Sequence, residues 1–400
     1  MIIASHKLKY IINKIICISI NLNIITLLVL ISINISAQNE SPKFSFNGYL
    51  SDNQSASFDS IQEQWISENL FHNRLNFKFF STENLSAALE IRNRFVYGNR
   101  ISFDPTAAPG YEQKTGIIDI NKNIVKGKSY VLNSTVERMW FAYEKGKIKA
   151  TIGRQRINWG MSLAWNPNDI FNSYSFFDID YIERPGSDAI RLQYYNSEVS
   201  SSELAVKMNH EKKITAAALY KFNAFEYDFQ LLSGIVNSNN YVFGGGWSGA
   251  IKHLAFRGEV SYFQPYKSND SLKTILSTIS FDYLFANSFS LLVEYLYSNH
   301  SVLKELSFSS LYNAPMSAKN IALANHNIVV QASYPITPLL SSSMAVMLLP
   351  GINGYYLAPS LSYSLSQNID ASVYCQRFSG SFNNEKIRYQ LLFFKMKLSF

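Results

Sequence analysis

The sequence predicts an all-β protein, a single antiparallel transmembrane β-barrel of about eighteen strands (sixteen to eighteen) with both termini in the periplasm. Three observations predict this fold. The chain begins with an export signal, apolar and polar residues alternate from residue 43 to the end, and short connections alternate with long ones. After residue 37 no apolar run is long enough for a membrane-spanning helix, which needs about 20 residues.

The first 37 residues have the layout of a secretory signal peptide. A basic start precedes a short apolar core at 24–33, and Ser36 and Ala37 offer a small-residue cleavage point. A membrane anchor is the alternative, but this core is shorter than the roughly 20 residues that a span requires. We therefore predict export with cleavage.

Composition limits what the mature chain does. Removing the leader removes three lysines, which lowers the formal net charge from +7 to +4 and does not favour nucleic acid as a partner. Cys375 is then left alone, which excludes an intrachain disulfide and a thiolate cluster. We predict three parts: the signal peptide (1–37), a short polar leader (38–42) and the barrel (43–400).

Residues alternate with a period of two along most of the mature chain. Leu75 and Phe77, for example, alternate with Arg74, Asn76 and Lys78. Runs of about ten such residues have the length of tilted membrane-spanning strands, with the apolar side facing lipid. A soluble antiparallel sheet also alternates. Arginines at successive polar positions and aromatic residues near strand ends favour the membrane barrel.

Connection lengths sort into two classes. The short connections predict periplasmic turns and lie near 82–84, 145–147, 252–253, 286–287, 337–338 and 367–368. The long connections predict outer loops and span 98–131, 160–186 and 299–324. With an even strand count all three long connections fall on one side of the membrane, as expected of an outer-membrane barrel.

The last residues form an alternating strand. Met396, Leu398 and Phe400 share one face, while Lys395 and Lys397 share the other. A final strand ending in phenylalanine resembles the terminal strand that the barrel assembly machinery recognises in bacterial outer-membrane barrels. The expected partners are therefore this machinery together with outer-membrane lipid and lipopolysaccharide.

A set of basic residues is predicted to line the pore on one side. If apolar residues face outward, these basic residues face inward from the first third of the barrel: Arg74, Lys78, Arg92, Arg94, Arg154, Arg156 and Arg191. Inward acidic residues are commoner later: Glu203, Asp228, Glu259, Asp282 and Glu294. Facing basic and acidic walls would set up a transverse field that orients polar solutes. The alternative is that these charges form internal ion pairs that fill a narrow barrel.

The long connection 160–186 is predicted to fold into the lumen as a constriction. It is too aromatic to be disordered, and long loops without secondary structure are usually functional. Its predicted constriction residues are Trp165, Asn166, Asn168, Asp169, Asp178, Asp180 and Glu183. The alternative is an outer cap that packs on the other long loops. A calcium site formed by its oxygen ligands is a weaker interpretation, because the spacing matches no EF-hand loop.

Enzyme chemistry receives little support. The histidines of the mature chain are scattered without metal-ligand spacing, and no serine stands in a nucleophile motif. We therefore predict a protein that is not an enzyme and holds no cofactor.

One strand and the loop after it carry a family resemblance. Residues 153–160 (GRQRINWG) and 166–170 (NPNDI) resemble an element of porin-superfamily barrels, including the alginate-export-like group and related porin-like families of Bacteroidota. The resemblance implies that Arg154 and Arg156 line a pathway for an anionic solute. The abundant acidic residues later in the chain depart from a strictly anion-selective lumen.

Together these observations predict an outer-membrane, porin-like channel for passive diffusion of small polar or anionic solutes. Two alternatives keep the same barrel, namely an exporter of anionic polysaccharide and a non-conducting surface assembly or adhesin barrel. An outer-membrane hydrolase is a third. The sequence leaves the transported substrate, the oligomeric state and the direction of transport open.

Overall fold

A computed structural model describes residues 43–58, 65–104, 107–112, 116–172, 185–266, 272–301, 317–382 and 385–400. Residues 44–399 form one compact unit. The signal peptide and the polar leader lie outside the described residues, as do Asp178, Asp180 and Glu183, so those predictions stay predictions.

The described residues are almost entirely β-strand, with two very short helices and one 3₁₀ turn. The strands are β1 (Phe44–Phe58), β2 (Ile66–Thr82), β3 (Leu85–Tyr97), β4 (Asn121–Lys126), β5 (Tyr130–Lys145), β6 (Ile148–Gln155), β7 (Ser187–Ser197), β8 (Ser200–Met208), β9 (Ile214–Ala224), β10 (Tyr227–Val236), β11 (Asn240–Ile251), β12 (Leu254–Pro265), β13 (Thr274–Leu284), β14 (Ser290–Ser298), β15 (His326–Pro335), β16 (Leu340–Leu349), β17 (Gly354–Ser366), β18 (Ile369–Phe382) and β19 (Glu385–Ser399). Helices α1 (Asn99–Phe103) and α2 (Ala107–Gly110) follow β3, and the 3₁₀ turn Pro350–Ile352 follows β16.

The strands form one antiparallel sheet that closes on itself. Each wall strand pairs with its neighbours in the chain, and β1 pairs with β19 from Tyr49 opposite Ser399 to Phe58 opposite Gln390. Closure gives each strand of the wall a hydrogen-bonding partner on both sides, so the wall has no open edge. Among the described residues eighteen strands surround the barrel and β4 is an additional short strand. The predicted all-β barrel of about eighteen strands is confirmed.

The short strand β4 pairs with the part of β5 that β6 does not reach. β6 pairs with β5 only between residues 139 and 145, because β6 ends at Gln155 and the chain then turns inward. β4 pairs with β5 at residues 131–135 and takes over the edge that β6 leaves. An unpaired edge would expose N–H and C=O groups to lipid at a cost of several kcal/mol each, so the extra strand allows β6 to leave the wall early.

The two ends of the barrel differ. Alternating strand directions place the long connections at one end, where β3, β6 and β14 finish. Tight turns lie at the other end, where Gly146 and Lys252 adopt positive φ values of 59° and 58° that suit two-residue hairpins. The first residue of β1 and the last of β19 also lie at this short-turn end.

The two faces of the wall differ as the alternation predicts. Large apolar side chains such as Ile190, Leu204 and Phe243 are exposed on the outer face. Their chain neighbours Ala189, Ala205 and Val242 point inward and are buried. One apolar cluster lies inside the barrel, formed by inward side chains and by chain segments that enter from the long-loop end. No helix in the described part of the chain is long and apolar enough to cross a membrane.

Candidate functional site

The site begins where β6 leaves the wall. Gly153 has φ 117°, and a Cβ there would overlap the carbonyl oxygen of Met139, so only glycine fits this approach to β5. Beyond Gln155 the chain enters the barrel. We call residues 156–172 the lumen segment, and its start is fixed by the Ile157 N–H, which donates to Asn172 Oδ1 at 2.9 Å. Residues 173–184 lie outside the description.

The lumen segment crosses the inner face from β8 to β14. Trp159 is fully buried and donates its indole N–H to Glu203 Oε1 of β8 at 2.5 Å. The Trp159 carbonyl accepts a bond from Gln230 Nε2 of β10 at 2.7 Å. Further along, the hydroxyls of Ser162 and Thr278 of β13 are 2.8 Å apart. The segment is thus fastened to strands that lie far from it in sequence.

Glu259 of β12 is the first of two carboxylates that hold the backbone of the segment. Its Oε1 accepts the N–H groups of Met161 and Ser162, the latter at 2.7 Å, and its Oε2 accepts the Asn168 N–H at 2.8 Å. The neighbouring Ser261 donates to Asn168 Oδ1 at 2.7 Å. Glu259 is completely buried, so one side chain secures two separated stretches of the segment away from water.

Glu294 of β14 holds the next part. Its Oε2 accepts the N–H groups of Leu163 and Ala164, both at 3.1 Å, and its Oε1 accepts the Trp165 N–H at 2.7 Å. Glu294 is also completely buried. Buried carboxylates are costly unless they are hydrogen-bonded, and buried backbone N–H groups are costly for the same reason. Here each group satisfies the other.

Glycines on β11 make room for the segment. A Cβ at Gly244 would lie 2.5 Å from Asn168 Oδ1, and one at Gly246 would lie 3.2 Å from Met161 Sδ. Gly245, which points the other way, has only ordinary contacts at 3.4 Å and beyond. The segment therefore packs directly on the β11 backbone, with the amide Nδ2 of Asn168 donating to the Gly245 carbonyl at 2.8 Å.

The described residues of the predicted constriction lie together. Trp165, Asn166, Asn168 and Asp169 are all buried within the segment or between it and the wall. The backbone N–H groups of Trp165 and Asn168 donate to the wall carboxylates, and Asp169 is close enough to interact with the charges of Lys207 of β8 and Glu259 of β12. The segment thus contacts the later, acidic part of the wall.

The predicted basic residues are mostly paired with carboxylates. Arg154 binds Asp188 of β7 with two bonds of 2.6 and 2.9 Å, and Arg191 binds Glu203 with two bonds of 2.7 Å. Arg74 is buried as well, and its guanidinium group donates to the carboxylate of Glu90 on β3. Such pairs cancel much of the cationic field that the sequence predicted for this wall.

The other basic residues have different surroundings. Arg92 lies 3.8 Å from Glu137, and Arg94 bonds the side-chain oxygen of Asn133 at 2.7 Å. Lys78 is exposed near the short-turn end of β2, and Arg156 is exposed at the start of the lumen segment. The structure therefore distributes these residues over ion pairs, a polar network and two exposed positions.

A wall of serines faces inward on the strands that follow β15, and the sequence analysis assigned it no role. These serines share the inner face of β16, β17 and β18: Ser341, Ser343, Ser360, Ser362, Ser364 and Ser372. Ser343 and Ser360 hydroxyls are 2.7 Å apart, and Ser372 donates to Ser362 at 3.0 Å. The sequence signal that could have identified this wall is the serine at every second position of these strands. The serine hydroxyls carry no charge, and the carboxylate of Asp370, which pairs with Ser364, lies on the same inner face.

Two further segments enter from the long-loop end. Residues 317–325 contribute buried side chains to the same inner cluster as Trp159: Ala318, Ile321, Ala322, Leu323 and Ala324. On another side, Ile101 of α1 packs with Val96 and Val131. In α1, burial opposes the charge of Arg100, but Glu68 at 3.2 Å helps to hold its pKa above the usual value. Three chain segments thus narrow this end.

No metal site is evident in the described ranges. Within them no three His, Cys, Asp or Glu side chains approach closely enough to hold a metal ion. Asn166 and Asn168 of the weaker calcium interpretation serve as packing and hydrogen-bonding groups of the segment.

Comparison with known proteins relates this fold to outer-membrane porins. OccK11 (OpdR) of Pseudomonas aeruginosa is 9% identical with a TM-score of 0.56, and covers 92% of this chain and 100% of its own. OpdQ of the same species is 8% identical with a TM-score of 0.57, covering 90% and 99%. OccAB4 of Acinetobacter baumannii is 10% identical with a TM-score of 0.54, covering 91% and 100%. No family model and no curated protein matches the sequence.

These likenesses concern the fold. The chain has the closed β-barrel fold of outer-membrane porins, a fold that agrees with the predicted localisation in the outer membrane. The narrower resemblance to families of Bacteroidota stays a prediction.

Proposed function

We propose that the protein is a passive channel for small polar solutes, with the lumen segment as its constriction. The observation that carries this proposal is the seating of the segment. Six backbone N–H groups of residues 161–168 donate to Glu259 and Glu294, so the segment lies along one side of the inner wall. Barrels of sixteen to eighteen strands are wide enough for an aqueous channel.

The solute path in this proposal runs between the segment and the serine wall. Serine hydroxyls donate and accept hydrogen bonds without carrying charge. Lys395 and Lys397 on the neighbouring strand β19 also face inward, and the Lys397 ammonium lies 4.8 Å from the Tyr49 ring centre. Such a surface suits small hydroxylated or weakly anionic solutes.

Anion preference in this proposal is modest. Arg154 and Arg191 are paired with carboxylates, so their charges reach the lumen largely neutralised. An exporter of anionic polysaccharide would need a continuous cationic track, which this pairing does not supply. The proposed selectivity therefore arises from size and from hydrogen bonding, with a smaller contribution from exposed cations such as Arg156.

Planar-bilayer recording of the purified, folded protein tests the proposal. We expect discrete conductance steps in concentrated potassium chloride and a reversal potential slightly on the anion-selective side in a salt gradient. A folded protein that gives no steps would exclude a channel and favour the surface-assembly alternative. Strong cation selectivity would exclude the proposed path.

A further inference from the structure

The outer face of β18 and β19 carries two arginines where lipid-facing strands are otherwise apolar. Arg377 pairs with Gln390 and Arg388 pairs with Ser379, so the two arginines are diagonal neighbours on adjacent strands. Both are exposed, whereas Gln376 and Phe378 on the inner face are 2% and 3% exposed. Strand alternation thus places both guanidinium groups on the outside of the barrel.

The two arginines lie near the long-loop end of the wall, where the strands are expected to reach a membrane interface. Arg377 lies toward the long-loop end of β18, and Arg388 lies near the start of β19 at the same end. The aromatic Tyr355 is level with them, because it pairs with Ser379. Aromatic girdles mark the interfaces of such barrels, and an outward arginine is far less costly there than at the midplane of the membrane.

Within the described residues the two guanidinium groups have no anionic partner. Neither forms an ion pair or a side-chain hydrogen bond with another described residue. The outward carboxylate of Asp52 pairs with Met396, which lies roughly 25 Å along β19 from Arg388 at the usual strand rise. Diagonal neighbours on one face lie about 7–8 Å apart. Two like charges at that spacing repel each other unless an anion lies between them.

An apolar groove begins below Arg377 on β18 and extends across β17 and β16 to β15 on the same outer face. It has a volume of about 430 Å³ and is lined by Met344, Pro359, Leu361, Val373 and Cys375, among others. Cys375 is two residues from Arg377 on the same face, so the groove starts roughly 7 Å below the guanidinium at the usual strand rise. Small side chains such as Ala332 let the groove form between larger neighbours.

We propose that this face binds one phosphorylated lipid of the leaflet at the long-loop end. The two arginines clamp a phosphate of the headgroup, and an acyl chain lies in the groove. Guanidinium groups bind phosphate through paired, charge-assisted hydrogen bonds, which are stronger than neutral ones. The vertical order of cation, then apolar groove, matches the order of headgroup and acyl chain in a lipid. This proposal is independent of whether the barrel conducts.

Native mass spectrometry of the whole protein in mild detergent tests it, with lipid A and dephosphorylated lipid A as probes. We expect retention of one lipid A molecule and at least about tenfold weaker retention of the dephosphorylated form, because the charge-assisted bonds are lost. Arg377→Gln/Arg388→Gln should reduce lipid A retention by a similar factor. The matched control is Lys212→Gln/Lys213→Gln, which removes two exposed basic residues at the same end, beside β8 and β9. This control should retain lipid A like the wild type.

A groove variant separates the whole lipid from its headgroup. Ala332→Phe fills the groove and should weaken lipid A retention, while Ala150→Phe, an outward alanine on β6, should not. Inorganic phosphate at millimolar concentration should not displace the lipid. Equal retention of both lipid forms would overturn the proposal, and so would equal losses in the arginine and lysine variants. A dimer or trimer that depends on Arg377 and retains no lipid would also overturn it and would assign this face to contact between copies.

Discussion

Replacing Glu259 by alanine should release the lumen segment and widen the channel. Glu259 accepts three backbone N–H groups, from Met161, Ser162 and Asn168, and is completely buried. Without this carboxylate the three donors lose their acceptor in a region that water does not reach. The segment then gains hydrogen bonds by moving toward solvent in the lumen.

The magnitude follows from the contacts. Hydrogen bonds to charged groups contribute about 1.5–3 kcal/mol each, so three of them contribute at most about 4.5–9 kcal/mol. Removing the buried carboxylate also removes its desolvation penalty, which amounts to several kcal/mol. A net change of about 3 kcal/mol would raise the population of the released segment roughly a hundredfold, since each 1.4 kcal/mol is a factor of ten.

Single-channel conductance is the assay. We expect a higher and noisier conductance for Glu259→Ala, a smaller rise for Glu259→Gln, which keeps one acceptor oxygen, and the largest rise for Glu259→Ala/Glu294→Ala. Glu144→Ala is the matched control, because Glu144 is half exposed at the short-turn end and pairs only across the surface with Lys149. If Glu259→Ala is folded by circular dichroism and conducts like the wild type, the segment is not the constriction.

Three further predictions use matched pairs of variants. Gly244→Val should raise the single-channel conductance, because the new Cβ would lie 2.5 Å from Asn168 Oδ1 and would displace Asn168. Gly245→Val should leave the conductance unchanged, because Gly245 points the other way. Equal effects of the two variants would refute the packing argument. Arg191→Met should lower the thermal unfolding midpoint more than Arg191→Lys, because methionine leaves the buried Glu203 carboxylate without a cation, at a cost of roughly 3–5 kcal/mol, whereas lysine keeps a cation beside it; the reverse order in melts followed by circular dichroism would contradict this. Arg154→Gln/Asp188→Asn should leave the reversal potential unchanged, because it replaces an ion pair of zero net charge by two neutral amides. Arg156→Gln should reduce the anion preference. A large shift of the reversal potential in the double variant would show that Arg154 acts on the permeating ions.

The barrel was accessible from the sequence because the membrane imposes a simple period. Outward positions must be apolar and inward positions face a polar interior. The alternation alone therefore predicts that Leu75 faces outward and Arg74 faces inward. The early end of β6 and the pairing of β4 with the rest of β5 were not predictable, because alternation does not show where a strand changes its hydrogen-bonding partner.

The contacts of the site were harder to predict than its location. The aromatic content of the connection indicates that it needs burial, and alternation places Glu259 and Glu294 on the inner face. Their partners are backbone N–H groups about a hundred residues away in the chain. Every residue except proline has such a group, so no sequence pattern marks the ones that will bind. Pairing of Arg154 with Asp188 likewise depends on the register of β6 and β7.

A disulfide between the lumen segment and the wall tests the central claim most directly. The hydroxyls of Ser162 and Thr278 are 2.8 Å apart, so Ser162→Cys/Thr278→Cys should form a disulfide in a Cys375→Ser background. The account predicts that the oxidised channel conducts as the reduced one does, because ions pass beside a segment that stays on the wall. Loss of conductance on oxidation, restored by reduction, would show that the channel opens only when the segment leaves the wall.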